Sequence, residues 1–219
     1  MTAFRRLILS GVTAIAVVIW SAGVVAAGGS DWHVGYYTPS PHGALSFASA
    51  DMPATGLATL NFTNLPNTAL LVTTQGSSSL LGDDRGKRIT ATFDISNAGV
   101  FTYFGEPGAC GFVAANTRLF FQTSNAGGFN ETHYWWSNPA SQPLANGKSL
   151  TVTATVNGAE WSDFYGHFGD APGFSQGFTD AASNVTTIGL SFGGGCFFEN
   201  GVGTVDGSGT FTLDSFTVA

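Results

Sequence analysis

The chain has 219 residues, of which 30 are glycine, 19 are phenylalanine, 7 are Lys or Arg and 14 are Asp or Glu. Its net charge of −7 and scarce cations exclude a nucleic-acid binder, which needs basic groups to neutralise phosphates. With 43 % hydrophobic and only 10 % charged residues, the chain is also too apolar for a disordered polymer. Chains rich in glycine and aromatic residues and poor in charge are typically all-β with many tight turns.

The first 27 residues have the pattern of a secretory signal peptide. Arg5 and Arg6 form a positive start, an apolar stretch follows at 7–20, and Val25 and Ala27 precede the expected cleavage point. We therefore expect a signal peptide at 1–27 and one mature domain at 28–219. Cleavage removes two of the seven cations and takes the net charge to −9. The domain is expected outside the cell, in the periplasm or at the cell surface, without membrane contact; an uncleaved anchor is the alternative.

Alternation of apolar and polar residues with a period of two predicts β-strands along the mature chain. The predicted strands are 32–37, 44–47, 57–63, 70–74, 89–95, 100–104, 118–122, 132–136, 149–156, 187–192 and 210–218. The spacing of Phe174, Phe178 and Ala182 predicts a short helix between Pro172 and Asn184. The predicted fold is all-β: a single antiparallel, jelly-roll-like β-sandwich with one short capping helix.

The last predicted strand changes register. Phe211 and Leu213 have one parity, whereas Phe216 and Val218 have the other, so a β-bulge is expected near Asp214. A carboxylate at a bulge either binds a ligand or turns out to solvent.

Two cysteines, Cys110 and Cys196, complete the structural predictions. In an oxidising compartment, an even number of cysteines favours one disulfide between them, with free thiols as the alternative. Neither has a His or Cys partner at metal-ligand spacing, so a metal site is not expected there.

The aromatic residues are the strongest functional signal, because sugar rings stack on Trp and Tyr while amides and charged groups bind their hydroxyls. Trp135 and Trp136 are adjacent, so a strand directs them to opposite faces, and Trp135 is expected to face outward. The alternative is that these rings pack under loops or beneath the helix. The predicted ligand contacts are Trp135, His133, Trp161, Tyr165, Arg118 and Gln122.

Two resemblances follow from specific segments. The closing run Thr-Phe-Thr-Leu-Asp-Ser-Phe-Thr-Val (210–218) resembles the last strand of jelly-roll carbohydrate-binding modules with a galactose-binding-domain-like fold. That resemblance implies a structural calcium ion bound by Asp214. The runs Tyr-Trp-Trp-Ser-Asn-Pro (134–139) and Leu-Ser-Phe-Gly-Gly-Gly-Cys-Phe-Phe (190–198) resemble a group of uncharacterised secreted bacterial proteins over residues 93–218, which implies no activity.

Catalytic signatures are sparse. The chain has no Gly-x-Ser-x-Gly elbow, zinc motif or phosphate loop, and its acids do not form the closely spaced pattern of jelly-roll glucanases. We therefore expect a secreted, non-catalytic module that binds polysaccharide, another glycan or a surface. One alternative is a polysaccharide-cleaving lyase or glycosidase that acts through His133, Tyr134 and Glu131. The other is a structural exoprotein whose aromatic residues all lie in the core. The sequence identifies neither the ligand nor the oligomeric state.

Overall fold

The computed structural model describes residues 31–37, 45–49, 56–61, 64–65, 68–74, 79–96, 99–103, 114–124, 128–194, 201–205 and 208–219. Within these segments the chain forms β-strands and one α-helix. The strands are β1 (Trp32–Tyr37), β2 (Leu45–Ser49), β3 (Ala58–Asn61), β4 (Asn64–Leu65), β5 (Thr68–Thr73), β6 (Arg88–Ser96), β7 (Phe101–Tyr103), β8 (Asn116–Gln122), β9 (Tyr134–Ser137), β10 (Gln142–Pro143), β11 (Gly147–Thr155), β12 (Trp161–Asp163), β13 (Thr187–Gly193), β14 (Val202–Thr204) and β15 (Thr210–Val218). The helix is α1 (Ser175–Ser183).

The strands form antiparallel sheets. The large sheet has the order β12-β9-β8-β13-β5-β1-β2, with β10 paired to β8. The second sheet has the order β11-β6-β15-β3, and a small third sheet has the order β4-β14-β7. The predicted fold class, an all-β antiparallel sandwich with one short helix, is confirmed.

The main core lies between the large sheet and the second sheet. Strand β6 shows why: Ile89, Ala91 and Phe93 are fully buried on one face, while the intervening threonines are half exposed on the other. Phe192 of the large sheet meets Phe211 of the second sheet edge to face, with ring centroids 5.1 Å apart. Each fully buried side chain of this size stabilises the fold by roughly 1.5–3 kcal/mol relative to its exposed state.

Helix α1 covers one end of the sandwich, as the sequence predicts. Its buried Phe178 meets the Trp135 ring at 5.0 Å and 88°, and the Phe121 ring at 6.0 Å. Gly177, which is unfavourable inside a helix, is explained by a close contact. A Cβ atom at Gly177 would lie only 2.6 Å from Cβ of Thr132, so only glycine lets the helix approach that neighbouring turn.

The register change in the last strand is also confirmed. Pairing of β15 with β6 shifts between Leu213 and Ser215, which places a bulge at Asp214. The sequence did not predict β4, β10 or β14, because each has only two or three residues and is too short to show a period.

Some predictions concern residues outside the described segments. The signal peptide at 1–27 lies there, and so do Cys110 and Cys196, so the disulfide stays a prediction. In the part of the chain that the structure describes, no helix is long and apolar enough to span a bilayer.

Candidate functional site: an aromatic hairpin

Trp135 and Trp136 point to opposite faces of the large sheet, as predicted, but both faces are covered. Trp135 belongs to the main core and donates its indole N–H to the carbonyl oxygen of Thr132 at 2.7 Å. Trp136 belongs to a second buried cluster on the other face and donates to Oγ of Ser191 at 2.9 Å. Both side chains are fully buried. The prediction that Trp135 faces outward to contact a ligand is therefore wrong, because helix α1 covers it.

Trp161 is a core residue as well. It is fully buried, its ring lies 4.7 Å from that of Phe121, and its indole N–H donates to the carbonyl oxygen of Thr155 at 2.8 Å. The prediction that Trp161 contacts a ligand is wrong for the same physical reason: no part of its side chain reaches solvent.

Arg118 and Gln122 lie on the second face of the large sheet, but that face is buried. Both share the face of Phe120, which belongs to the second buried cluster, as their alternation predicted. Arg118 is only 3 % exposed and Gln122 8 %, so neither contacts solvent as the predicted ligand contacts would. Oε1 of Gln122 is buried without a hydrogen-bond partner, whereas Arg118 is engaged in interactions within the protein.

The exposed aromatic surface lies instead on a hairpin formed by residues 161–169, which we call the 161–169 hairpin. Its arms are joined by the backbone hydrogen bonds from Asp163 N to the His167 oxygen and from Gly169 N to the Trp161 oxygen. Between the arms, Gly166 N donates to the Asp163 oxygen at 3.0 Å and closes a turn, and Gly166 has a φ of +89°. Glycine at this left-handed position is typical of a hairpin turn followed by a bulge.

Asp163 organises this turn from the inside. Its Oδ1 accepts hydrogen bonds from the backbone N–H of Tyr165 at 2.9 Å and of His167 at 2.8 Å. Its Oδ2 lies 3.1 Å from Nδ1 of His167. The carboxyl group is fully buried, so these polar contacts compensate for its removal from water. The turn is a local solution in which an Asp side chain takes the place of missing backbone acceptors.

His167 is held on both sides of its ring. Phe174 stacks on it with centroids 4.0 Å apart and planes inclined by 15°, and Asp163 fixes Nδ1. The side chain is nevertheless 45 % exposed. Because Nδ1 lies against Oδ2 of Asp163, Nε2 is the ring nitrogen left to meet other molecules.

Tyr165 lies at the tip of the 161–169 hairpin. At 47 % exposure it is the large aromatic residue that reaches furthest into solvent among the described residues. Phe164 meets it edge to face at 5.2 Å, and Phe129 at 6.4 Å. Phe164 and Phe129 in turn pack on the second buried cluster. Strand β12 ends at Asp163, so Tyr165, a predicted ligand contact, lies on the turn.

The residues of the predicted catalytic alternative lie in a 3₁₀ turn and at the start of β9. Glu131 and His133 are half-buried in a 3₁₀ turn that Asn130 caps by accepting from Thr132 N at 3.0 Å. Tyr134 is buried, with its ring stacked on Phe129 at 5.7 Å.

Asp214, the predicted calcium ligand, lies beside Asp94 on the outer face of the second sheet. Burial raises the pKa of Asp214, and the adjacent Asp94 carboxylate raises it further. The ammonium group of Lys148, 2.6 Å away, and the backbone N–H of Ser149 lower the pKa of Asp94. Two carboxylates could share a cation, but among the described residues no three His, Cys, Asp or Glu side chains converge as a metal site. Calcium at Asp214 stays a prediction.

Sequence reasoning missed His167, Phe129 and Phe164. The signal for the first was present in the run Asp163-Phe-Tyr-Gly166-His, because Asp at the first position of a turn and Gly at the fourth indicate a hairpin rather than a continuing strand. Phe129 is brought to the site by tertiary packing alone, for which the sequence holds no local signal.

Comparison of the chain with protein-family models, with curated proteins and with solved structures found no match. The 161–169 hairpin presents an exposed aromatic ring at Tyr165 and an oriented imidazole at His167. The buried carboxylate of Asp163 contacts both residues, through the backbone N–H of Tyr165 and Nδ1 of His167.

Proposed function

We propose that the protein is an exported, non-catalytic module that binds carbohydrate through the 161–169 hairpin. The observation on which the proposal depends is the exposed ring of Tyr165 beside an imidazole whose orientation is fixed by a buried carboxylate. Aromatic rings offer a flat apolar surface to the C–H face of a sugar, and a fixed nitrogen provides a directional hydrogen bond. Export is supported by the pattern of residues 1–27.

Rigidity of the hairpin supports a binding role. Tyr165 is supported by two other rings, and the turn that presents it is closed by backbone and side-chain hydrogen bonds. Presenting groups in a fixed arrangement reduces the entropy lost when a ligand binds. A surface tyrosine on a flexible loop would lack this advantage.

Affinity electrophoresis in gels that contain neutral polysaccharides tests the proposal. Tyr165→Ala should reduce the retardation of the protein by a factor of about two to twelve, since stacking on one ring is worth roughly 0.5–1.5 kcal/mol. Val205→Ala is the matched control, because Val205 is also exposed, at 64 %, but lies in the third-sheet region. Retardation that Tyr165→Ala leaves unchanged in a folded protein, or none with any polysaccharide, would overturn the proposal.

A structural exoprotein is the second candidate, and one observation favours it. Trp32, Trp135, Trp136 and Trp161 are all fully buried, so these large rings serve packing and not binding. The same gels separate the two candidates, because a purely structural protein shows no retardation that depends on Tyr165.

A further inference from the structure

We infer that the 161–169 hairpin selects uncharged glycans over glycans that carry carboxylate or sulfate groups, because Asp163 makes His167 present a hydrogen-bond acceptor. The inference rests on the proposed carbohydrate-binding function and names the ligand class. It depends on the tautomer of one imidazole and on the charges that surround it.

The tautomer follows from the contacts of Asp163. Its two oxygens accept hydrogen bonds, Oδ1 from two backbone N–H groups and Oδ2 from Nδ1 of His167. In the uncharged form of the ring that carries its proton on Nδ1, Nε2 has only a lone pair to offer. A lone pair accepts a hydrogen bond from a sugar hydroxyl. A carboxylate or sulfate oxygen has no proton to donate, so it meets Nε2 as one acceptor facing another.

The surrounding charge acts in the same direction. Residues 119–147 and 149–219 contain no Lys or Arg. The stretch 128–184 includes the 161–169 hairpin, the loop of Phe129 and helix α1. Its one Lys or Arg residue is Lys148, which forms an ion pair with Asp94 of the second sheet at 2.6 Å. The acids of this stretch are Glu131, Glu160, Asp163, Asp170 and Asp180.

A cation outside that stretch, Arg88, acts on Glu160 within it. The pKa of Glu160 is lowered by the backbone N–H of Thr155, then by the side chain of Asn157, and last by the charge of Arg88. Arg88 thus acts on Glu160, and residues 161–169 themselves contain Asp163 and His167 but no Lys or Arg. A glycan carrying negative charge would be repelled there, since like charges at an interface are unfavourable.

A matched polysaccharide pair, mannan against polymannuronate, tests the inference. Its two members share their linkage and differ in a hydroxymethyl group or a carboxylate at the same carbon. The retardation of wild-type protein by the neutral member should be at least about fivefold greater than its retardation by the anionic member, which is the equivalent of one hydrogen bond. Tyr165-dependent retardation by the anionic member that equals or exceeds the neutral one overturns the inference and leaves the proposed function intact. No Tyr165-dependent retardation by either member overturns the proposed function itself.

Asp163→Asn is the decisive variant because it should reverse the tautomer. The amide oxygen must replace Oδ1, which accepts two backbone N–H groups, so the amide NH₂ replaces Oδ2 and donates to Nδ1 of His167. The proton then moves to Nε2, which becomes a donor, and the preference for the neutral polysaccharide should shrink or invert. Asp163 is a positioning residue here, and nitrogen-15 NMR of the imidazole reports which nitrogen is protonated.

Asp170→Asn is the matched control, since it removes one carboxylate from the same region without touching His167. The ratio of its retardation by the neutral polysaccharide to its retardation by the anionic one should change less than the same ratio for Asp163→Asn. Equal changes in both variants would show that net charge alone sets the preference and would overturn the role of the tautomer. If Asp163→Asn does not fold, His167→Gln replaces it: its amide both donates and accepts, so the preference should narrow, and an unchanged preference overturns the inference.

Discussion

Trp135→Ala should destabilise the protein strongly, because Trp135 is part of the core and not of a binding surface. The substitution removes a fully buried indole, its edge-to-face contact with Phe178 at 5.0 Å and its hydrogen bond to the carbonyl oxygen of Thr132 at 2.7 Å. Trp→Ala replacements in cores cost about 3–5 kcal/mol. For a domain of this size, about 4 kcal/mol corresponds to a fall in melting temperature of roughly 8–16 °C.

Trp135→Phe grades the same effect. Phenylalanine keeps an aromatic contact with Phe178 but loses the indole N–H, so its cost should be about 2 kcal/mol. Urea denaturation followed by circular dichroism gives both values, with Tyr165→Ala as the exposed-ring control, which should lie within about 0.5 kcal/mol of wild type. If the free energy of unfolding of Trp135→Ala also lay within about 0.5 kcal/mol of the wild-type value, the packing of Trp135 under helix α1 would be refuted.

Three further predictions address the helix and the carboxylate pair. Gly177→Ala should lower the melting temperature although alanine favours helices, because its Cβ would lie 2.6 Å from Cβ of Thr132; a rise in melting temperature would contradict that contact. Because the pKa of Asp214 is raised in the folded protein, its contribution to stability is present at acid pH and is lost as the pH rises through the folded-state pKa. In the presence of a chelator, Asp214→Asn should therefore stabilise the protein by about 0.5 kcal/mol at pH 7 and by less near pH 3.5. Urea unfolding at both pH values measures this, and a larger gain at the acid pH would reverse the assigned sign. If calcium binds at Asp214, its addition should raise the melting temperature of wild type but not of Asp214→Asn; a rise of equal size in both would place calcium elsewhere.

The regular parts of the fold could be predicted from the sequence because they follow local patterns. The alternation in β6 and the parity change around Asp214 both depend on residues within one strand, so composition and period were sufficient. Helix α1 was also predictable from its apolar spacing. The glycine inside this helix, Gly177, is explained by its close contact with Thr132, which is a tertiary contact and has no local signal in the sequence.

The site was harder to predict because its key contrast, exposure against burial, is a tertiary property. Nothing local distinguishes Trp135, covered by Phe178, from Tyr165, exposed on a turn. Arg118 is a predicted ligand contact, but the face of the sheet on which it lies is buried. The turn between Asp163 and Gly166 does have a local signal, which is the Asp and the Gly at its two ends.

An NMR titration of nitrogen-15-labelled protein with a neutral xylo- or cello-oligosaccharide tests the central claim most directly. The account predicts that shift changes concentrate on the amides of Tyr165 and His167, both held by Asp163, and on the loop of Phe129, with smaller changes elsewhere. Shift changes centred on another surface, such as the exposed Val100 and Val205, or a spectrum unchanged by both oligosaccharides, would contradict it.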